Sequence, residues 1–537
     1  MNEAAPTHPQ RRTNRIGDIL AGITVALVLV PQALAYADLA GLPPYHGLYV
    51  AATVPIFAAL FASSRYLQTG PVALTSLMTI GALLTRATPY TSEYIKLAAL
   101  LALVVGATRL LIGLVHGGPL AYLMSRPVLH GFTVAAALLI LGSQLPAVLG
   151  VDASRTNVVE RATHALSHPG QWQLGAIILS AITMALMIWG RKMHPLFPGV
   201  LVGALIGIGA SVIGLPVGPT IGSVPSGFPS IHADLPWQAL PSLLIPGTMI
   251  ALVGFAEATA ISRAFATKDR ERWDPDREFI GQGVANLAAG FFGGFPVGGS
   301  FSRSSLAREA GARTRWASAV SGVAVLLILP WVGILSALPK AVLGAIIFGA
   351  VMKLVRVVPF RDFWKQSRPQ GTIAVITFAS TLLAAPHVEY GVLAGVMASL
   401  TVHLWREMRL DVDHRYERGV LELKPMGVLW FGSAPALREE FGRQLAAYPN
   451  TERLLIELIG LGRVDLSGAD VLRELVQDAQ SAGLTVLFRN IPPHARRIME
   501  PLFPEMNEVV DMSVLDAVLD QGFAISHSGT DPDQSEG

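Results

Sequence analysis

The chain lacks cysteine altogether and is poor in charged residues. Without cysteine it can form neither a disulfide bond nor a thiolate metal site. Only 15% of its residues are charged, against roughly 25% in soluble domains, whereas 52% are hydrophobic. The sequence also shows no metal-ligand cluster, catalytic triad or Walker loop, so we expect no resident metal or cofactor, and neither an enzyme nor an ATP-driven pump.

Long apolar runs fill most of the sequence instead. Residues 19–37 and 131–150 carry no charge, and each is close to the roughly 20 residues that cross a bilayer. The pattern predicts an α-helical polytopic membrane protein, with about fourteen transmembrane segments inside a domain that spans residues 16–407. The segments lie near 17–37, 46–62, 70–85, 95–115, 127–149, 172–190, 198–214, 243–266, 278–294, 298–309, 315–337, 339–357, 370–386 and 388–405.

The cationic residues indicate an orientation for these segments. With the N-terminus inside, most Lys and Arg residues fall in cytoplasmic loops, and the opposite loops hold only a few, such as Arg86, Arg155, Arg161 and Lys340. The positive-inside rule expects this asymmetry. We therefore predict a multi-pass protein of the plasma membrane (the inner membrane in bacteria), with a cytoplasmic N-terminal segment (1–15), no cleaved signal peptide, and both termini in the cytoplasm.

The composition changes after Trp405. VLELKPMGVLWF (420–431), RLLIELIGL (453–461) and LTVLFRN (484–490) are typical of strands. LREEFGRQLAAY (437–448) and ADVLRELVQDAQSAG (469–483) are typical of helices. Residues 419–525 are therefore predicted to form a cytoplasmic α/β domain, and the tail 526–537, which has no core-forming residues, to be disordered.

A weak internal repeat relates the two halves of the membrane domain. At one common offset Val25–Val28 falls on Ile250–Val253, Pro71-Val72 on Pro296-Val297, Gln32 on Glu257, and Thr75 on Ser300. Because the two copies are seven spans apart, an odd number, they must have opposite orientations. In transporters with inverted repeats, paired short segments interrupted by Gly and Pro mark the substrate site.

Here the paired segments are GPVALTSL (70–77) and GGFPVGGSFSRS (293–304). Pro71 and Pro296 suit the first turn of a helix, so each segment is predicted to start a half-helix near the membrane centre. Two such helix N-termini would direct free N–H groups and positive dipole ends at one anion. Arg303 would add a fixed charge. The alternative is that small residues only let helices pack closely, which does not explain Arg303.

These residues resemble the sulfate permease (SulP) family of anion transporters. VPQALAYADLAGLPPYHGLY (30–49) is similar to the signature around the family's first span, and FPVGGSFSRS (295–304) with EAGARTR (309–315) to its tenth-span region. EATAISRAFA (257–266) is similar to the eighth span of the sulfate-transporting branch. The resemblance covers nearly the whole chain. It implies 7+7 inverted repeats, core and gate domains, a C-terminal STAS domain and a homodimer.

The resemblance also implies a substrate bound between the third and tenth half-helices. The substrate-binding residues carried over by position are Gln32, Tyr36, Val72, Thr75, Gly298, Gly299, Ser300, Phe301, Ser302 and Arg303. We expect Glu257 to couple transport to H⁺ or Na⁺, because a carboxyl group inside a membrane is costly and usually functional. The alternative is a structural pairing of Glu257 with Arg303.

Three further residues have less direct predictions. Asp38 lies near the outer end of the first span, where we expect it to be solvated. Arg109 is expected to snorkel at a cytoplasmic helix end. Ser467, in VDLSGAD (464–470), aligns with a site where related STAS domains accept phosphate. The surrounding sequence departs from that pattern, so we predict that Ser467 instead caps the next helix, and regulation is the alternative.

The sequence therefore predicts a secondary active transporter of a small oxyanion, with sulfate first, coupled to H⁺ or Na⁺ and working by elevator-like alternating access. A bicarbonate or C4-dicarboxylate transporter of the same family and a passive anion channel are alternatives. A signalling protein acting through the STAS domain is a third. The expected partners are the anion, the lipid bilayer and a second copy of the chain, but no nucleic acid.

Overall fold

The computed structural model describes residues 8–122, 124–151, 158–225, 227–232, 234–503 and 508–509. The first seven residues of the predicted N-terminal segment, Arg155, and the predicted tail 526–537 lie outside them. The chain divides into two compact units, Met1–Ser399 and Leu400–Gly537.

The regular structure in the described residues of the first unit is helical except for two short strands. Its helices are α1 (His8–Leu39), α2 (Tyr45–Phe61), α3 (Ala73–Leu83), α4 (Ser92–Leu114), α5 (Arg126–Leu149), α6 (Val158–Ser167), α7 (Leu174–Met193), α8 (Gly199–Val212), α9 (Leu240–Asp269), α10 (Pro275–Phe291), α11 (Phe301–Glu309), α12 (Trp316–Ile328), α13 (Lys340–Val351), α14 (Val358–Gln366), α15 (Arg368–Leu383) and α16 (Val388–Glu407), the last of which runs into the second unit. Each of the fourteen predicted segments contains a helix, whereas α6 and α14 lie between them. The predicted helical membrane architecture is confirmed.

Within the described residues, seven helical segments are long and apolar enough to cross a membrane by length and composition. The two predicted half-helices, α3 and α11, have only 11 and 9 residues. α1 shows how a spanning helix packs, since Ala21, Val25 and Leu29 are buried at intervals of four residues. Leu20 and Leu27 on its other side are apolar and exposed. A helix that is apolar on every side is typical of a membrane span.

The two strands are β1 (Gln68–Gly70) and β2 (Gly298–Ser300), and they pair antiparallel. Thr69 lies opposite Gly299 in the other half of the chain, and the pairs on either side are symmetric about this one. Antiparallel pairing of corresponding strands agrees with two repeats of opposite orientation.

The positions at which α3 and α11 begin correct three sequence predictions. Pro71 and Val72 separate β1 from α3, whereas α11 follows β2 directly. Val72 is therefore the N-cap that corresponds to Ser300, and the predicted equivalence of Thr75 with Ser300 is wrong. The prediction that Pro296 starts a half-helix is also wrong, because β2 lies between Pro296 and α11. Pro71 precedes the N-cap Val72, so it does not lie in the first turn of α3 as predicted.

Among its described residues, the second unit contains the end of α16, a mixed sheet and three further helices. Its elements are β3 (Asp411–Glu417), β4 (Val420–Leu429), α17 (Ala434–Ala447), β5 (Arg453–Glu457), β6 (Leu461–Val464), α18 (Leu466–Ser481), β7 (Thr485–Arg489), α19 (Pro493–Met499) and β8 (Glu508–Val509). The order is β3-β4-β5-β7-β8, with β6 also on β4, and only β3 is antiparallel to its neighbour. The predicted strands and helices of this α/β domain are confirmed, and β3 precedes the predicted boundary at residue 419.

Candidate anion-binding site

Two helix N-termini meet beside the β1–β2 pair. The N-cap of α3 is Val72, which has an extended backbone and no side chain that could accept a hydrogen bond. The N–H groups of the first turn, Ala73 to Thr75, therefore lack a side-chain acceptor at the cap. At α11, the Ser300 hydroxyl accepts from the backbone N–H of Arg303 at 3.4 Å. Both helices direct the positive ends of their dipoles towards the paired strands.

Arg303 lies in the first turn of α11 and is only 1% exposed. Its Nη1 donates to Oε1 of Gln32 on α1, at 3.3 Å. Its Nη2 is buried and has no hydrogen-bond partner among the described residues. A Cβ atom added to Gly70 would lie 3.4 Å from this Nη2, which places the guanidinium at the end of β1. The site thus holds a buried positive charge with an unused donor.

Other polar groups surround this guanidinium. Gln32 and Tyr36 lie one turn apart on α1, and both are buried. Arg303 lies within electrostatic range of Tyr36 and of the Glu257 carboxyl on α9. Glu257 is half-buried. None of the ion pairs among the described residues joins Glu257 to Arg303, so the alternative prediction of a direct structural salt bridge is not supported.

The remaining predicted residues divide into two groups. Thr75 is completely buried and its hydroxyl donates to the Val72 carbonyl at 3.4 Å, while the Ser300 and Ser302 hydroxyl oxygens are 3.4 Å apart. These side chains lie at the two helix starts. Phe301 differs, because it is 57% exposed and its ring stacks on Phe265 of α9, with 6.2 Å between ring centroids. Phe301 therefore lies at the margin of the buried site.

The two glycines of β2 allow close approach of neighbouring elements. A Cβ atom at Gly299 would lie 2.7 Å from Cδ1 of Leu67 and 3.2 Å from Cβ of Ala258, the residue after Glu257. A Cβ atom at Gly298 would lie 3.2 Å from Cγ2 of Val72. The close-packing interpretation is therefore correct for Gly299. Close packing at Gly299 is compatible with an anion-binding site at the neighbouring helix starts.

Arg109 is a second buried cation next to this site. It is on α4 and 0% exposed, so the prediction that it snorkels is wrong. Its guanidinium donates to three backbone carbonyls: Ala251 at 3.0 Å and Ile250 at 3.3 Å on α9, and Val297 at 2.9 Å just before β2. It thereby ties the helix that carries Glu257 to the strand that leads into α11.

Two amides on α10 complete this polar frame. The Asn286 side chain accepts from the Val297 N–H at 2.9 Å and donates to the Val297 carbonyl at 3.4 Å. Gln282, one turn earlier, donates to the Thr69 hydroxyl of β1 at 2.5 Å. Both amides are buried. Neither amide was predicted as part of the site, although two amides one turn apart in an otherwise apolar span are a signal that the sequence contains.

Two remaining predictions are also corrected. Asp38 is half-buried and its Oδ1 accepts from the Tyr90 hydroxyl at 3.1 Å, so it is not simply solvated.

The N-cap of α18 is Asp465, which accepts from the Gly468 N–H at 2.7 Å. Ser467 is already helical and exposed, so the prediction that it caps this helix is wrong. Within the described ranges, no cluster of three or more His, Cys, Asp or Glu residues could hold a metal ion.

Comparison with known proteins agrees with this architecture. A probable sulfate transporter of Mycobacterium tuberculosis is 35% identical over 401 residues, which cover 73% of this chain and 70% of that protein. The chloroplastic sulfate transporter 4.1 of Arabidopsis thaliana is 29% identical over 520 residues, 88% of this chain and 75% of that protein.

Two solved structures share the fold at low sequence identity. Murine Slc26a9, an anion transporter in the inward-facing state, has a TM-score of 0.85 at 20% identity and covers 96% of each chain. The transmembrane domain of a cyanobacterial bicarbonate transporter has a TM-score of 0.61 at 22% identity, with coverage of 72% of this chain and 97% of that one. Residues 16–377 match the sulfate permease family and residues 412–502 match the STAS domain. The chain therefore belongs to the sulfate permease family and has a C-terminal STAS domain.

Proposed function

We propose that this protein is a secondary active transporter of a small oxyanion, and that sulfate is its principal substrate. The observation that carries the proposal is the buried guanidinium of Arg303, which keeps one donor without a partner among the described residues, between two helix N-termini. The relatives that are named as a probable sulfate transporter and as a chloroplastic sulfate transporter support the same class of cargo.

The geometry suits a tetrahedral dianion. Its oxygens would accept from the free N–H groups of α3 on one side and from the start of α11 on the other. Arg303 would supply a charge-assisted hydrogen bond, which is shorter and stronger than a neutral one. Bicarbonate and C4-dicarboxylates present oxygens of similar chemistry, and one structural neighbour is a bicarbonate transporter. They are the competing substrates within this proposal.

Glu257 is the group we assign to cation coupling. It interacts electrostatically with Arg303 but forms no direct ion pair with it. When Glu257 is ionised, its negative charge offsets that of Arg303 and repels an anion. When it holds a proton or neighbours Na⁺, the positive charge of Arg303 is available to the anion. Cation and anion would therefore each strengthen the binding of the other, as thermodynamic linkage requires.

The remaining parts of the proposal concern movement and location. The site is built from α1, α3, α9, α11 and the strand pair, which would move together as a core past the gate helices in elevator-like alternating access. We place the protein in the plasma (bacterial inner) membrane as a homodimer, with both termini cytoplasmic. The STAS domain would serve in assembly or regulation, and exposed Ser467 remains a candidate for phosphorylation.

Uptake into proteoliposomes tests this proposal. Labelled sulfate, bicarbonate and fumarate would be offered separately under an inward proton gradient, an inward sodium gradient, or neither. We expect sulfate to accumulate above its equilibrium level under one cation gradient, and Glu257→Gln to abolish the stimulation. Accumulation of bicarbonate or fumarate alone would change the substrate. Sulfate flux that never exceeds equilibrium would refute cation coupling and favour a passive pathway, such as an anion channel.

A further inference from the structure

A separate cavity lies at the end of α1 opposite its N-terminus. Its volume is about 460 Å³, and none of the predicted anion-site residues lines it. Its walls come from several helices: Asp38 from the end of α1, Leu77 from α3, Leu139 from α5, Arg161 from α6 and Lys340 from the start of α13. Two elements of the proposed core, α1 and α3, and three helices outside it, α5, α6 and α13, therefore line one cavity.

The cavity reaches the protein surface. Tyr90 and Thr88, in the connection between α3 and α4, line it, and both are exposed. Tyr90 is 48% exposed while its hydroxyl donates to Asp38 at 3.1 Å. A solute could therefore enter from the side that the proposed topology places outside the cell.

The charged side chains that line this cavity carry an excess of positive charge. Arg161 and Lys340 face a single carboxylate, that of Asp38, and Asp38 already accepts a hydrogen bond from Tyr90. Among the described residues, neither cation forms a salt bridge, and Nε of Arg161 is buried without a hydrogen-bond partner. The Lys340 ammonium lies 5.9 Å from the centre of the Tyr90 ring. An anionic group bound here would neutralise the excess positive charge and accept hydrogen bonds from the two cationic side chains.

The rest of the lining is mostly apolar, with side chains such as Leu39, Leu77, Ile80 and Leu139. A bare inorganic oxyanion is poorly suited to such walls, because it would lose hydration without gaining enough donors. Pockets of this size that are mainly apolar and carry a few polar groups usually take organic molecules. We infer that the cavity is a binding site for an amphipathic organic anion, with a sulfonate or carboxylate held by Arg161 and Lys340 and a hydrophobic body on the leucine walls.

A ligand here would restrain transport without occupying the central site. Close to the cavity, α3 touches the connection between α15 and α16, since a Cβ atom at Gly81 would lie 2.3 Å from the Pro386 carbonyl oxygen. Both residues line the cavity. A molecule that bridges these elements would hold them at a fixed separation. This effect on transport rests on the proposed function, whereas binding to the cavity does not.

Naphthalene-1-sulfonate is a suitable probe, and its uncharged sulfonamide analogue is the control ligand. Thermal unfolding of the purified full-length protein in detergent would be followed at increasing probe concentration, because a ligand of the native state raises the midpoint. The variants are Lys340→Gln, Arg161→Gln and, as a matched control, Lys96→Gln, whose side chain pairs with Asp234 and does not line the cavity. Arg303→Gln reports on the central site.

We expect the sulfonate to stabilise the wild-type protein and the Lys96→Gln and Arg303→Gln variants equally. Its apparent affinity should fall about tenfold in Lys340→Gln and in Arg161→Gln, since hydrogen bonds to charged groups are strong. The sulfonamide should bind much more weakly, and inhibition of uptake should be non-competitive with the transported anion. Undiminished binding in both cavity variants, loss of binding in Arg303→Gln, or equal binding of the sulfonamide would each overturn the inference. These results do not depend on which anion the central site transports.

Discussion

Replacement of Arg109 by lysine tests the polar frame behind the anion site. The arginine donates to carbonyls on two separate elements, Ala251 and Ile250 on α9 and Val297 next to β2. Lysine keeps the positive charge, but its donors leave from a single nitrogen atom and cannot reach both elements as the guanidinium fork does. We expect the hydrogen bond to the Val297 carbonyl to be lost, because this is the bond that reaches beyond α9 to the segment before β2.

The size of the effect follows from that one bond. A hydrogen bond from a charged donor contributes about 1.5–3 kcal/mol. Since about 1.4 kcal/mol corresponds to a factor of ten, misplacement of β2 should weaken sulfate binding roughly 10- to 100-fold. The dissociation constant of labelled sulfate on the purified protein measures this directly, and the KM for uptake should rise in parallel.

Arg86→Lys is the matched control for this substitution. Arg86 also donates to backbone carbonyls, those of Ala82 and Ser242, but it lies just after α3, at the opposite end of that helix from the site. Its replacement should leave sulfate affinity unchanged. If Arg109→Lys bound sulfate with the wild-type dissociation constant, the role of this residue as a positioning group would be refuted.

Two further substitutions test packing and capping. Gly299→Ala places a methyl group 2.7 Å from Leu67, and such overpacking costs about 1–3 kcal/mol, so thermal stability and sulfate uptake should fall. Gly209→Ala, whose methyl group would meet nothing within 4 Å beyond the adjoining backbone of its own helix, should retain both, and equal behaviour of the two variants would contradict the packing argument. In the separately expressed C-terminal unit, Asp465→Ala should lower the free energy of unfolding in urea by about 1 kcal/mol. Ser467→Ala should change it little, and a larger effect at Ser467 would reverse the assignment of the cap.

The helical segments could be predicted because hydropathy depends on local sequence. Apolar runs of sufficient length show where the chain crosses the membrane, whatever its neighbours are. Arg303 could also be singled out, since close helix packing accounts for glycines and serines in an apolar chain but not for a cation among them. The strands β1 and β2 were missed because each is very short, and their pairing joins positions in opposite halves of the membrane domain. Local periodicity contains no signal for such a contact.

The same limit explains the error at Arg109. Its position near a helix end was compatible with snorkelling, and only the tertiary structure shows the carbonyls of α9 and Val297 around its guanidinium. Asp465 and Ser467 show a smaller limit. Both residue types cap helices well, so the choice depends on locating the helix start to within a residue or so, and sequence patterns do not reach that precision.

The most direct test of the account is equilibrium binding of labelled sulfate to the purified protein and to Arg303→Gln. Arg308→Gln is the control, because Arg308 lies on the same helix but pairs with Asp269 at 2.5 Å. We predict saturable binding to the wild-type protein and to Arg308→Gln. Binding to Arg303→Gln should be weakened by roughly 100-fold, since the variant loses the only charge-assisted donor that we assign to the anion. Wild-type affinity in a folded Arg303→Gln variant would contradict the assignment of the anion site to the two helix starts and this guanidinium.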